Sequence, residues 1–142
     1  IDDHSRVAFS TVHPNETADT ACLALRQTVE YYRNLGIRFE RVLTDNGACY
    51  RSNQFARTVK ELGMRHLRTK PYTPRTNGKA ERFIQTSLRE WAYARAYSCS
   101  DERDGALPAW LYHYNWHRPH MGIGCQPPIS RIPLNNVVGL HN

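Results

Sequence analysis

The stretch "IRFERVLTDNG", residues 37–47, decides how the rest of the chain is organised. Its first eight residues are rich in aliphatic and aromatic side chains and predict a strand over 37–44. The strand stops at Asp45, Asn46 and Gly47, residue types that favour a tight turn. An acid directly after such a strand lies at the edge where α/β sheets place their ligands, so Asp45 is a candidate functional residue. The alternative is an Asx-type turn residue that only shapes the loop.

Helices and strands alternate on both sides of this stretch. Downstream, Ser52 is predicted to cap a short helix that reaches Leu62, and a short strand is predicted over 64–67. Upstream, the β-branched and aromatic run 7–14 predicts another strand, and a helix is predicted over 17–35 with Gly36 after its end. This alternation is typical of an α/β domain in which helices pack on a sheet.

The second half of the chain is predicted to be mostly helical. Residues 68–78 contain two prolines and a glycine without an apolar period, which indicates a loop. A long helix is predicted from Asn77 or Gly78 to Tyr97, and a further helical segment over about 101–117, where Pro108 starts or kinks it. Three residues are predicted to form the buried stripe of the long helix: Ile84, Leu88 and Trp91. We divide the chain into a core, 1–97, and a C-terminal helical extension of the same domain with its tail, 98–142.

The composition narrows the class of protein. The 142 residues carry 40% hydrophobic side chains, which is ordinary for one globular domain. No apolar run approaches the roughly 18 residues that a membrane span needs, so we expect no membrane partner. The four cysteines are scattered without a CxxC pair, and we expect reduced thiols in a cytoplasmic protein. The first residues, Ile1-Asp2-Asp3, lack an initiator Met, and we expect this chain to be a piece of a longer protein.

Positive charge is concentrated in and around the predicted loop. The formal net charge is +6, and between Arg65 and Arg82 there are six Lys or Arg residues and one acid, Glu81. We expect Lys70, Arg75 and Lys79 to contact phosphate groups, as in nucleic-acid-binding proteins. The alternative is that they keep a flexible loop soluble. Glu81, for its part, could be a solvated acid that the helix dipole favours near a helix start.

Four segments make the sequence recognisable. They are "RVLTDNGACYRS", "RTKPYTPRTNGKAERF", "LREWAYA" and "YNWHRPH". Together, in this order, they resemble the integrase-core (DDE-type) transposases of bacterial insertion sequences, which are related to the retroviral integrase catalytic core. The resemblance covers nearly the whole chain and implies a ribonuclease H-like fold, a mixed sheet flanked by helices.

The resemblance also implies a metal-dependent active site. In such proteins an Asp, Asp, Glu triad binds two divalent metal ions, Mg²⁺ or Mn²⁺. Asp45 matches the second acid and Glu81 the third, with 81 − 45 − 1 = 35 residues between them, the spacing of the family. Tyr72 and Asn77 match loop positions that could touch DNA ends near the cleavage site.

The first acid of the triad is not matched. In the family it lies on the first strand of a three-strand meander, whereas "IDDHSR" matches the turn between the second and third strands. We therefore expect the first strand and its aspartate to lie upstream of Ile1, and this fragment alone to be inactive. Asp2 or Asp3 could substitute for this acid, but we expect them instead to support the turn or to receive a helix-cap or basic partner.

The resulting hypothesis is the catalytic core of a DNA transposase that cleaves phosphodiester bonds and transfers strands. Its partners would be the element ends and the target DNA, with an N-terminal helix-turn-helix domain in the full-length protein and a homo-oligomer assembled at the nucleoid. Two alternatives stay open. One is a truncated, non-catalytic DNA-binding remnant, and the other is a ribonuclease H-like nuclease that only hydrolyses.

Overall fold

The computed structural model describes residues 1–70, 73 and 77–133. The chain forms two compact units. One consists of Ile1–Val12 with Lys79–Asn142, and the other is the continuous stretch His13–Gly78. The division at residue 97 that the sequence suggested stays a prediction.

The unit His13–Gly78 begins with a helix whose ends follow the local sequence signals. Helix α1 spans Ala18–Asn34, and the Thr17 hydroxyl caps it by accepting a hydrogen bond from the backbone N–H of Thr20. After the helix, Gly36 adopts φ 77°, a left-handed conformation that glycine takes without the steric cost of a side chain. The predicted helix and its glycine stop are confirmed.

Two short parallel strands follow, separated by a second helix. Strand β1 spans Arg41–Thr44 and strand β2 spans Arg65–Arg68, paired from Arg41 with Arg65 to Thr44 with Arg68. Helix α2, Asn53–Glu61, lies between them in the chain, and Gly63 after it adopts φ 73°. The predicted strand at 64–67 and the predicted helix after Ser52 are thus confirmed.

The strand predicted over 37–44 is shorter in the structure. Only Arg41–Thr44 pair with β2, which itself has four residues. The N–H of Ile37 instead donates to the Tyr32 carbonyl at the end of α1, and the Phe39 ring packs edge-on against the Tyr32 ring at 4.7 Å. The apolar residues before Arg41 therefore bind to the helix end rather than to a neighbouring strand.

The core of this unit lies between α1, α2 and one face of the strand pair. Its buried members are Cys22, Leu25, Phe55, Val59 and Met64. Val42 packs against this core, and the His66 ring meets the Phe55 ring at 5.1 Å. Side chains alternate along a strand, so Leu43 and Leu67 point to the opposite face, where each is 43% exposed.

The cap of α2 provides a modest stability prediction. The Ser52 hydroxyl accepts from the Phe55 N–H at 3.1 Å, and Ser52→Ala should lower the free energy of unfolding by about 1 kcal/mol because that N–H loses its partner. Urea unfolding measures the change. Ser52→Asp, which keeps an oxygen acceptor, should lie close to wild type, and an equal loss in both variants would contradict the cap.

The unit made of the two chain ends is helical. Helix α3 spans Gly78–Ser87 and continues as a π-helical turn, Leu88–Ala92. Helix α4 spans Ser100–Gly105 and helix α5 spans Leu107–Trp116, with Pro108 in the first turn of α5, where its missing N–H costs little. The predicted segment 101–117 is therefore two helices that meet at Ala106.

The helix predicted to reach Tyr97 ends earlier. Its last turn is wide, since the Tyr93 N–H donates to the Leu88 carbonyl at 2.8 Å, five residues back. The Tyr97 hydroxyl then donates to the Trp91 carbonyl at 2.8 Å, which holds the returning chain against the helix end. A hydrogen bond from a side chain therefore satisfies a carbonyl that a longer helix would have used.

The predicted buried stripe of this helix is wrong for two of its three members. Ile84 is 53% exposed and Leu88 is 42% exposed, while Phe83 and Thr86 are buried. Phe83 enters a cluster with Ala8, Leu107, Trp110 and Tyr114, and Trp91 packs on its border as expected. The buried face of the helix thus includes Phe83, whose ring meets the rings of Trp110 and Tyr114 at 5.8 and 5.1 Å, in place of the predicted Ile84.

The strand predicted over 7–14 is not formed. Val7 and Ala8 are fully buried, but the backbone partner of Ala8 is a side chain. Asn115, itself 1% exposed, accepts from the Ala8 N–H and donates to the Ala8 carbonyl, both at 2.8 Å. Buried backbone groups need a partner, and here an amide group replaces the neighbouring strand.

In the described ranges, every helix is too short or too polar to cross a membrane.

Candidate active site

Asp45 lies in the turn that follows β1. Its Oδ1 accepts a hydrogen bond from the Gly47 N–H at 2.8 Å, which is the Asx-type turn considered above, and its side chain is exposed. A Cβ on Gly47 would lie 3.0 Å from the same Oδ1, so glycine is needed for this close approach. Oδ2 forms no hydrogen bond with the described part of the chain. The turn and a metal-binding role are therefore compatible.

Two side chains that the sequence did not single out stand behind this turn. The Thr44 hydroxyl donates to the backbone carbonyl of Asp45 at 2.9 Å. The same oxygen lies 2.8 Å from Nε2 of His66 on the neighbouring strand. Burial and the charge of Arg68 lower the pKa of His66, so its ring is neutral near pH 7.

Hydrogen bonds also connect the Asp45 turn to Thr69, the residue that follows β2. The Thr69 N–H donates to the Thr44 carbonyl at 2.9 Å, and Nδ2 of Asn46 donates to the Thr69 carbonyl at 2.8 Å. Lys70 follows directly and is exposed. The structure thus joins the Asp45 turn to the start of the basic loop.

Tyr50 closes the other side of the turn. Its ring lies 3.4 Å from where a Cβ of Gly47 would stand, and it meets the Phe55 ring at 5.2 Å. Burial raises the pKa of Tyr50, and nearby negative charge, including that of Asp45, raises it further. The Tyr50 hydroxyl therefore stays protonated and supplies no additional anion to the site.

Glu81 occupies the first turn of α3, as predicted, and its side chain is exposed. A carboxylate in this position is favoured by the partial positive charge of the helix start. Asp45 belongs to the unit His13–Gly78 and Glu81 to the other unit, so the structure describes each acid in its own surroundings. Their joint role as metal ligands stays a prediction.

The two acids at the chain start are engaged as expected. Asp2 accepts from both the N–H and the hydroxyl of Ser5 through Oδ2, at 2.7 and 2.6 Å, and so supports the turn. The Lys79 ammonium donates hydrogen bonds to the Asp3 carboxylate and to the Asp3 backbone carbonyl. The Asp3 side chain is largely exposed and that of Lys79 nearly half exposed, so the ion pair adds at most about 1 kcal/mol to stability.

The predicted DNA-contacting residues are only partly placed. Lys70 and Lys79 are exposed, and Asn77 is half-buried directly before α3. Tyr72 and Arg75 lie outside the described residues. The assignment of all five to DNA stays a prediction.

The carboxylates of Asp45 and Glu81 are the type of ligand that a hard divalent cation prefers, but two carboxylates are too few for a complete site. Mg²⁺ and Mn²⁺ prefer carboxylate oxygens, which Asp45 and Glu81 supply. Within residues 1–70, 73 and 77–133, no group of three or more His, Cys, Asp or Glu side chains could hold a metal ion. A complete site needs at least one further ligand.

The fold defines the class of protein, and comparison with known proteins identifies it. The structure of the catalytic core domain of BIV integrase superposes with a TM-score of 0.68 at 25% identity, covering 90% of this chain and 78% of that one. The predicted ribonuclease H-like fold is thereby confirmed.

Two models of the integrase core domain family match residues 1–74 and 62–128. The first covers more than half of the chain, which therefore belongs to the integrase core domain family.

The sequence is also similar to those of a viral integrase and a bacterial transposase. It is 27% identical to "Putative integrase ORF3" of Spiroplasma virus SpV1-C74, over 92% of this chain and 40% of that protein. It is 36% identical to the transposase InsD for insertion element IS2A/D/F/H/I/K of Escherichia coli, over 61% of this chain and 29% of that protein. The chain thus spans two fifths or less of the length of these relatives.

Proposed function

We propose that this chain is the catalytic core of a DNA transposase, a DDE-type polynucleotidyl transferase that cuts DNA and joins the cut ends to a target. The observation that carries the proposal is membership of the integrase core domain family, whose models match residues 1–74, which include Asp45, and 62–128, which include Glu81. The 35 residues between the two acids match the spacing that the resemblance implies. The similarity to an insertion-element transposase supports it.

Asp45 and Glu81 would hold two Mg²⁺ or Mn²⁺ ions through their carboxylate oxygens. When bound, such a pair supplies activation of the attacking water or 3′-hydroxyl and stabilisation of the leaving 3′-oxygen. The turn that fixes Oδ1 of Asp45 against Gly47 leaves Oδ2 to face a ligand. No covalent protein intermediate is required, so neither residue needs to act as a nucleophile.

A third carboxylate would complete the site, and the full-length protein is proposed to supply it. Asp2 accepts hydrogen bonds from Ser5 and Asp3 pairs with Lys79, which supports the expectation that they serve the turn and a basic partner rather than the metal site. All experiments below therefore use the full-length protein.

The proposed partners are the two ends of the mobile element and the target DNA. Because two ends must be cut and joined together, at least two copies of the protein would assemble on them. A helix-turn-helix domain N-terminal to this chain would recognise the ends. The place of action would be the nucleoid in the cytoplasm of the host cell.

The test is a coupled cleavage and joining assay. The full-length protein is incubated with labelled linear DNA that carries the sequences flanking its own gene, with Mg²⁺ or Mn²⁺ and a supercoiled target plasmid. The expected products are a nick at the element end and covalent insertion of the labelled end into the plasmid.

The other outcomes identify the alternatives. Nicking without insertion would overturn the transposase proposal in favour of a hydrolytic nuclease. Binding of the flanking DNA with neither nicking nor insertion would indicate a non-catalytic DNA-binding protein.

The Asp3–Lys79 pair provides a prediction about DNA binding. Lys79→Gln should weaken binding and reduce the steepness of its salt dependence by about one unit in the log–log slope, because one phosphate contact is lost. Asp3→Asn should strengthen binding, since it removes the acid that holds the Lys79 ammonium. Fluorescence anisotropy over a series of salt concentrations measures both.

The control is Lys60→Gln, which removes the same charge from the exposed last turn of α2. It should leave the affinity and the salt slope unchanged. An Asp3→Asn variant that binds DNA no better than wild type would argue against a DNA contact for Lys79.

A further inference from the structure

We infer that His66 is a positioning residue for Asp45 and acts through the hydroxyl of Thr44. The inference rests on the proposed function, in which Asp45 is a metal ligand. It concerns two residues on the parallel strands, Thr44 and His66, which the sequence pattern of the acids does not identify.

The direction of the hydrogen bonds follows from the number of protons. A threonine hydroxyl has one proton, and Thr44 uses it to donate to the Asp45 carbonyl. The contact of 2.8 Å between Thr44 Oγ1 and His66 Nε2 is then satisfied only if Nε2 carries a proton and donates. The order is therefore His66 to Thr44 to the Asp45 backbone.

His66, the first donor in this series of hydrogen bonds, packs against the core of its unit. The His66 ring packs edge-on against Phe55, with ring centroids 5.1 Å apart and planes at 62°. Phe55 is 1% exposed and belongs to the buried cluster of its unit. This contact and the hydrogen bond to Thr44 together favour the ring orientation in which Nε2 faces Thr44.

The hydrogen bonds at the Asp45 end of this series fix the orientation of the Asp45 carboxylate. The Thr44 hydroxyl holds the carbonyl of Asp45, and the Gly47 N–H holds its Oδ1 at 2.8 Å. The peptide plane and the side-chain rotamer are thus both determined before any ligand arrives. Partners of this kind, one step removed from a metal, orient its ligands and typically contribute about 10- to 100-fold to metal affinity or activity.

The test compares two matched pairs of variants in the full-length protein. Thr44→Val keeps the β-branched shape but loses the hydroxyl, whereas Thr44→Ser keeps the hydroxyl. His66→Phe keeps the ring against Phe55 but loses the donor, whereas His66→Gln keeps an N–H donor. Mn²⁺ binding is measured directly from the EPR signal of the free ion, and cleavage is measured as a function of Mn²⁺ concentration.

Thr44→Val and His66→Phe should each raise the Mn²⁺ concentration for half-saturation and for half-maximal cleavage by about 10- to 100-fold. At saturating Mn²⁺ their cleavage rates should recover, because the chemistry itself is unchanged. Thr44→Ser and His66→Gln should restore most of the lost affinity. Metal-free DNA binding, which does not use these groups, should match wild type in all four and shows that the variants fold.

Three outcomes separate the possibilities. If Asp45→Asn binds Mn²⁺ and cleaves like wild type, the proposed function of Asp45 is wrong. If Asp45→Asn loses both activities while Thr44→Val titrates like wild type, the positioning role is overturned and the proposed function stands. If Thr44→Val and Thr44→Ser are equally impaired, strand packing rather than the hydroxyl matters, and the positioning role is again overturned.

Discussion

Asp45→Asn in the full-length protein is expected to reduce DNA cleavage and strand transfer by at least about 1,000-fold, since residues that act as one catalytic unit show losses of this size when removed singly. The amide keeps the shape of the side chain, and its oxygen can still accept from the Gly47 N–H, so the turn is preserved. What is lost is the negative charge that a hard cation requires. Glu81→Gln should cause a loss of the same order from the first turn of α3.

The measurement is the rate of end nicking and joining, alongside metal-free binding of the same DNA. Binding should stay close to wild type in both variants. Asp101→Asn is the matched control, because it removes one exposed negative charge from the first turn of another helix, and it should cleave normally. Substantial cleavage by Asp45→Asn or Glu81→Gln would refute the assignment of that acid.

Phe55→Ala is expected to lower the free energy of unfolding by about 3–5 kcal/mol, the usual cost of removing a large buried aromatic side chain. Phe55 is 1% exposed, and its ring contacts both Tyr50 and His66. The cavity would therefore open directly behind the Asp45 turn. We expect the loss of stability to be accompanied by weaker metal binding.

Urea unfolding, monitored by far-UV circular dichroism, measures the change in the free energy of unfolding. Leu23→Ala is the control within the same unit, because Leu23 lies on α1 and is 50% exposed. It should change the free energy of unfolding by no more than about 0.5 kcal/mol, as is usual for surface positions. A Phe55→Ala variant no less stable than Leu23→Ala would contradict the core described for this unit.

The helix ends of the unit His13–Gly78 could be predicted because their causes are local. Thr17 and Ser52 cap helices within three residues of themselves, and Gly36 and Gly63 adopt the left-handed conformation that ends them. Each signal depends only on neighbours in the sequence. The turn at Asp45 is local in the same sense.

Features that depend on distant residues were not predictable from one sequence. The segment around Ala8 has the composition of a strand, but its partner is the Asn115 side chain, 107 residues away. Similarly, the contact between His66 and Thr44 depends on the register of two parallel strands. The alternation of residue types in β2 does not reveal it, because His66 could equally serve as an ordinary polar member of a short strand.

The pairing of Ala8 with Asn115 has a consequence for the order in which the protein is made. A ribosome adds about 5–20 residues per second, so roughly 5–20 seconds separate the synthesis of these two residues. The residues that form α1, α2 and β2 are translated within that interval, before Asn115 is available to the Ala8 backbone. The stretch that holds Asp45 can therefore assemble on the nascent chain before the Ala8 segment acquires its Asn115 partner.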